Sequence, residues 1–143
     1  IFMKRLLPIF KASFFVPLFG DGSTKFQPVF IDDVSLATNK IINTNIAGKN
    51  IYELAGPRIY SYKEFFNHIS NFLNKTRVLV PVPMGVMKPM INIAEKTPIS
   101  PLTSEQLMLF EKDNLAVNID KSFENLDINP QDTLQILKNI VVN

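Results

Sequence analysis

The chain has 143 residues, 46% of them hydrophobic and 20% charged, with a formal net charge of +2. That is enough for one domain with a sizeable core, and the positive charge is too small and too scattered for a nucleic-acid footprint. The absence of cysteine excludes disulfides, a thiolate nucleophile and a Cys-based metal site, and fits a reducing compartment; with twelve Phe and no Trp, the core is expected to consist of Phe, Ile, Leu, Val and Met.

Residues 1–19 carry early positives, Lys4 and Arg5, ahead of apolar residues, which is the outline of a signal peptide. Pro8 and Lys11 interrupt it, the clean apolar run 12–19 is short, and no small-x-small site follows. Nor does it reach the ~20 apolar residues that span a bilayer. The expectation is a buried helix over 2–11 leading into a loop, with no transmembrane segment. Opening on Ile1 rather than Met, the chain reads as a fragment or as starting at Met3.

Gly20-Asp21-Gly22-Ser23 is a turn cluster, in which glycine permits positive φ while Asp and Ser bond nearby backbone. A strand is expected over 25–31, with Pro28 marking an edge or an irregular rung because it cannot donate a ladder bond. Asp32 or Asp33 then caps a helix whose apolar side is Val34, Ala37, Ile41 and Ile42. Gly48-Lys49-Asn50 turns the chain into a strand over 51–54, Tyr52 and Leu54 on one face, Ile51 and Glu53 on the other.

Ser61-Tyr62-Lys63-Glu64 has capping-box spacing and opens a helix over 61–75. Tyr60 and Phe65 are placed for a staple, and Phe65, Phe66, Ile69, Phe72 and Leu73 repeat at helical period. A short buried-type strand follows over Val78–Val82, closed by Pro81 and Pro83. Met84–Ala94 reads as an apolar helix, broken or kinked near Pro89. Thr103-Ser104-Glu105-Gln106 is a second capping box, with Leu102 and Leu107 as staple, opening a short helix that fades at Asp113-Asn114. The last helix takes Asn129 as cap and Pro130 as first residue, with Leu134, Leu137 and Val141 along one face. The fold class is mixed α/β.

Chemistry-bearing patterns are sparse. The five glycines are not spaced as a dinucleotide fingerprint, and a phosphate-gripping turn needs Cβ-free positions at a helix N-terminus. His68 lies with Ser61, Glu64, Asn71 and Lys75 on the polar side of its helix, a solvated residue with no triad or metal partner. Asp32-Asp33 has the look of a carboxylate pair, but its place at a strand-to-helix junction favours capping. Met84, Met87 and Met90 form a stripe that serves either as core or as an adaptable partner- or membrane-facing surface; core is the expectation.

Gln27-Pro28-Val29-Phe30-Ile31-Asp32-Asp33-Val34 and Tyr52-Glu53-Leu54-Ala55-Gly56-Pro57, in strand, helix, strand order, resemble the C-terminal half of an extended, atypical short-chain dehydrogenase/reductase of the NAD-dependent epimerase/dehydratase kind. The wording is most like the branch of dinucleotide-binding accessory subunits of respiratory complex I and their bacterial relatives. The resemblance runs over essentially the whole chain, through Pro98-Ile99-Ser100-Pro101-Leu102-Thr103 and Asp113-Asn114. It implies one partial domain, 1–143, on the substrate side of a Rossmann-type fold that lacks its N-terminal dinucleotide-binding half. The strand 51–54 would return to the edge of a mostly absent parallel sheet. The family's tyrosine-x-x-x-lysine pair is missing, since Gly56, Glu64 and Phe66 stand four residues after Tyr52, Tyr60 and Tyr62. Phe26 stands where many nucleotide-sugar enzymes of the family carry an arginine seven positions before the capping aspartate, which turns the resemblance away from a nucleotide-sugar substrate.

The resemblance therefore implies a structural or assembly role beside complex I, with no catalytic residue and no metal in this chain. NADPH or NADH would bind only with the N-terminal Rossmann half or a partner chain. An alternative is the substrate half of an active NAD(P)-dependent epimerase, dehydratase or reductase, whose cleft would be touched by Lys25, Gln27 and Pro28; a further one is a non-catalytic interaction module or gene remnant. The implied location is cytoplasmic, with peripheral association at the inner membrane.

Overall fold

The computed structural model describes residues 2–44, 48, 50–96, 103–117 and 122–142. Its elements in chain order are α1 (Phe2–Ala12), β1 (Phe15–Phe19), β2 (Lys25–Phe26), α2 (Ile31–Asn43), β3 (Tyr60–Ser61), α3 (Tyr62–Phe72), β4 (Val78–Val82), α4 (Met84–Ala94), α5 (Ser104–Met108), a 3-10 turn (Glu124–Leu126) and α6 (Thr133–Val142). The mixed α/β class holds, with two small sheets.

The larger sheet pairs β1 with β4 in parallel, from Phe15 opposite Val78 to Phe19 opposite Val82. The loop expected after α1 is therefore a strand. Its alternation was masked by Phe and Pro at the outward positions: Val16 and Leu18 are buried while Phe15 is 60% exposed. β4 forms where expected but is not buried on both faces, since Val78 and Val80 are exposed and Leu79 and Val82 pack on the core. Parallel strands need a long crossover, and here it contains α3.

The capping box of α3 is complete. The Ser61 hydroxyl accepts from the Glu64 amide at 3.2 Å, and the Glu64 carboxylate accepts from the Ser61 amide at 2.8 Å. The Ser61 amide and, next, the Ser61 hydroxyl donate to the Glu64 carboxylate and hold it below its ordinary range. Thr103 and Gln106 make the same reciprocal pair at α5; Leu102 lies outside the described residues. From α3, Phe65, Phe66 and Ile69 enter the main core, each such side chain contributing roughly 1.5–3 kcal/mol by leaving water. The Phe66 ring meets Phe10 of α1 edge-on at 5.3 Å and Phe19 of β1 at 6.2 Å. Phe26 stacks on Tyr62 at 4.3 Å. A second, smaller core gathers Ala37 of α2 with Phe123, Leu126 and Ile128, and with half-buried Tyr52 and Leu54.

Several expectations need correction. The strand over 25–31 is only Lys25–Phe26, paired antiparallel with β3; beyond it Pro28 cannot donate to a ladder and the chain turns into α2 at Ile31. Neither Asp32 nor Asp33 caps α2, because the helix starts before them: Phe30 is the N-cap, without a side-chain bond, and both carboxylates sit in the first turn, where the helix dipole favours them. Ile42 is exposed, leaving Val34, Ala37 and Ile41 as the inward side of α2. Residues 51–54 form no strand among the described residues, although Tyr52 and Leu54 do share the inward side.

α3 ends at Phe72, and α4 continues through Pro89 rather than breaking there. Met87 is core and Met84 packs against it, but Met90 is 58% exposed. α6 starts at Thr133 instead of Pro130, and Asp132, not Asn129, accepts from the Leu134 amide at 2.9 Å.

Burial pushes the Tyr62 phenol up from its ordinary 10 to about 12. The unfolded chain then ionises first, so this contribution to stability is full below pH 10 and is lost as pH rises toward about 12. Urea midpoints measured across that interval should fall less steeply for Tyr62→Phe than for the parent chain.

Candidate functional site

An open cleft of ≈ 630 Å³ is bordered by Gln27, residues 55–57, Ala116, residues 122–124 and residues 127–130. It adjoins a hollow of ≈ 440 Å³ lined by Asn114, Val117 and Leu54. Gln27 and Glu53 line both.

Residues 113–116 run along β2 and position this site. The Lys25 amide donates to Asp113 Oδ1 at 2.7 Å, the Asn114 amide to the Lys25 carbonyl at 2.8 Å, and the Gln27 amide to the Asn114 carbonyl at 3.2 Å. The Gln27 side chain then extends the pattern beyond the strand. Its Nε2 donates to the Gly56 carbonyl at 2.7 Å and its Oε1 accepts from the Ala116 amide at 3.3 Å. Glu53 Oε2 accepts from the Val117 amide at 2.7 Å.

On the other side, Thr133 Oγ1 donates to the Pro28 carbonyl at 3.1 Å. Asp33 is 5% exposed and accepts from the Gln131 amide at 2.8 Å and from Gln131 Nε2 at 3.3 Å. Asp33 thus ties α2 to the segment leading into α6. Gly56 packs so tightly on residue 28 that a Cβ there would lie 1.9 Å from the Pro28 carbonyl oxygen.

Of Lys25, Gln27 and Pro28, the residues anticipated at a substrate cleft, Gln27 lines these two concavities and the other two lie outside their lining. Lys25 belongs to the β2 ladder, and Pro28 presents its carbonyl to Thr133. Asp32 is exposed at the start of α2, away from its neighbour's buried carboxylate. Ser61, Glu64 and Thr103 serve helix starts. His68 is exposed, with the Tyr60 and Phe72 rings at 6.2 and 6.1 Å and an electrostatic interaction with Glu64.

Sequence reasoning did not single out Asp132. Its carboxylate accepts from Tyr60 Oη at 3.1 Å and pairs with Arg58 Nε at 3.3 Å while holding the start of α6. Burial, reinforced by this carboxylate, raises the Tyr60 phenol above its ordinary range. An Asp two residues before Leu134, the first of the helical apolar repeat, was the available signal.

The cleft's charged residues among those described are Glu53, Glu124 and Asp127, with no Lys or Arg. Such a lining repels a pyrophosphate, and Gly56, the glycine in its wall, faces a carbonyl rather than a helix N-terminus. The lining of this cleft, among the described residues, supplies no Lys or Arg for a pyrophosphate. Among the described residues there is also no group of three or more metal-ligating side chains.

No family model matches the chain. Curated proteins do. Over 128 residues it is 30% identical to the mitochondrial NADH dehydrogenase (ubiquinone) 1 alpha subcomplex subunit 9 of Arabidopsis thaliana, a match covering 81% of this chain and 31% of that protein. Over 109 residues it is 27% identical to the mitochondrial NADH-ubiquinone oxidoreductase 40 kDa subunit of Neurospora crassa, covering 76% of this chain and 29% of that protein. The placement implied by the Gln27–Val34 and Tyr52–Pro57 motifs, in the complex I accessory-subunit branch of the extended short-chain dehydrogenases, holds. The chain is a relative of these two subunits and spans less than a third of the length of either. Both relatives are named as mitochondrial, which lends no support to a cytoplasmic location. Among the described residues, no helix is long and apolar enough to cross a membrane.

The Gln27 and Gly56 contacts are open to direct test. Gln27→Ala leaves the Gly56 carbonyl and Ala116 amide without their partner, and should lower stability by about 1–3 kcal/mol. Gly56→Ala drives a methyl into backbone and should cost about 1–3 kcal/mol. Urea unfolding reads both; a change within error at either position would show that the seam is not held as described.

Proposed function

We propose that the chain acts as part of a complex I accessory-subunit-like protein, in a structural or assembly role rather than a catalytic one. The similarity to the Arabidopsis and Neurospora subunits carries this reading. The chemistry of the cleft supports it: the side chain of Gln27, one of the residues that line it, is committed to two backbone partners. The phosphate grip for NADPH or NADH then belongs to a glycine-rich N-terminal half or a partner chain, against which residues 51–54 would pair. Peripheral association at the inner membrane follows from such a partnership.

The test is co-migration. A tagged chain expressed in its own cells and extracted in mild detergent should run, on native electrophoresis, with the NADH-dehydrogenase activity band. Migration only as a free species, with that band intact, would sink the proposal. Calorimetry of the isolated chain with NADPH should show no saturable heat. Saturable micromolar binding to the chain alone would overturn the assignment of the phosphate grip to another segment.

A further inference from the structure

On the side of the main core, away from the cleft, α1, β1, β4 and α4 enclose a pocket of ≈ 260 Å³. Leu6, Ile9, Phe19, Met87, Met90 and Ile91 form most of its wall, and every lining side chain among the described residues is apolar. With no side-chain donor or acceptor in the wall, it has no partners with which to order water. An apolar cavity of ~150 Å³ already admits a benzene-sized ligand, so this one has room for a longer hydrocarbon.

The design of α4 bears on what that hydrocarbon is. Met84, Met87 and Ile91 face the core. Asn92 and Glu95 bond Ser104 of α5, and Lys88 pairs with Glu111. The remaining stripe, Val86, Met90 and Ile93, is apolar as well, yet 50, 58 and 70% exposed. At helical spacing these three lie one above the other, and Met90 belongs both to the stripe and to the pocket wall. The pocket mouth therefore continues into an apolar track along the outside of α4. Unbranched Met87 and Met90 can reshape the wall around a flexible guest.

We propose that this pocket binds a single linear hydrocarbon chain of the fatty-acyl class, with its end between α1 and α4 and its remainder along Val86, Met90 and Ile93. A rigid polar metabolite would leave its hydrogen-bonding groups unmatched there. An acyl chain has none to match along its length. This site is independent of the cleft and of the complex I reading.

The probe is cis-parinaric acid, a fluorescent fatty acid, titrated into the full chain. Saturable binding of one equivalent is expected. It should weaken tenfold or more in Ala94→Phe, which fills the pocket, and in Met90→Glu, which charges its mouth. Ile42→Ser, on the exposed side of α2, should bind like the parent. Circular dichroism establishes that each variant is folded; should Ala94→Phe not fold, Met90→Glu at its exposed position decides alone. A second arm offers vesicles of phosphatidylcholine bearing a parinaroyl chain: uptake from them assigns a bilayer lipid as source, and uptake of the free acid only assigns a free fatty acid. No saturable signal in either arm, or equal affinity in the folded variants and the parent, would overturn the proposal.

Discussion

A pair of five-residue parallel strands is stable only if a long crossover brings them together and something covers at least one face. In this protein α3 does both. It lies within the crossover between β1 and β4, and Phe65, Phe66 and Ile69 are the cover. Phe66, with no exposed surface, reaches α1 through Phe10 and β1 through Phe19. The capping box at Ser61 and Glu64 sets where that helix begins, and hence which residues face the strands. Moving the start by one residue would swing Phe66 about 100° around the helix axis and break the contact.

Away from that core, side chains do the work that a regular sheet would do. Gln27, Asp33, Glu53 and Asp113 each accept from or donate to backbone of a distant segment. Buried backbone groups must be paired, and where Pro28 ends the β2 ladder, the side-chain carboxamide of Gln27 stands in for further rungs. The ion pairs add less. Lys40 with Asp127 is exposed, and pairs of that kind are worth about 0–1 kcal/mol. Lys40 matters more through its bond to the Leu126 carbonyl, which fastens α2 to the 3-10 turn.

The two concavities consequently differ in kind. The cleft has a mixed wall in which Gln27 and Glu53 are engaged with backbone and whose charged members among the described residues are acidic. The pocket beside α4 has a wholly apolar lining among the described residues.

Local signals in the sequence determined the two capping boxes, the aromatic repeat of α3, the position of β4 and the relationship to complex I subunits. Each is a short-range pattern or a run of wording that survives without knowledge of the fold. Tertiary structure decided the rest. β1 exists because β4 lies beside it, and Phe15 and Pro17 hid its alternation from any period-2 reading. Asp33 left its expected cap for Gln131, 98 positions away, and Asp132 took a capping role that Asn129 had been assigned. Residues 51–54 have strand character but form no strand among the described residues, because a strand is a property of a pair. Gln27 reads as a substrate-cleft residue from its place in the motif, and in the structure it borders an open concavity. Only its distant partners, Gly56 and Ala116, show that its amide is spent on holding the walls together.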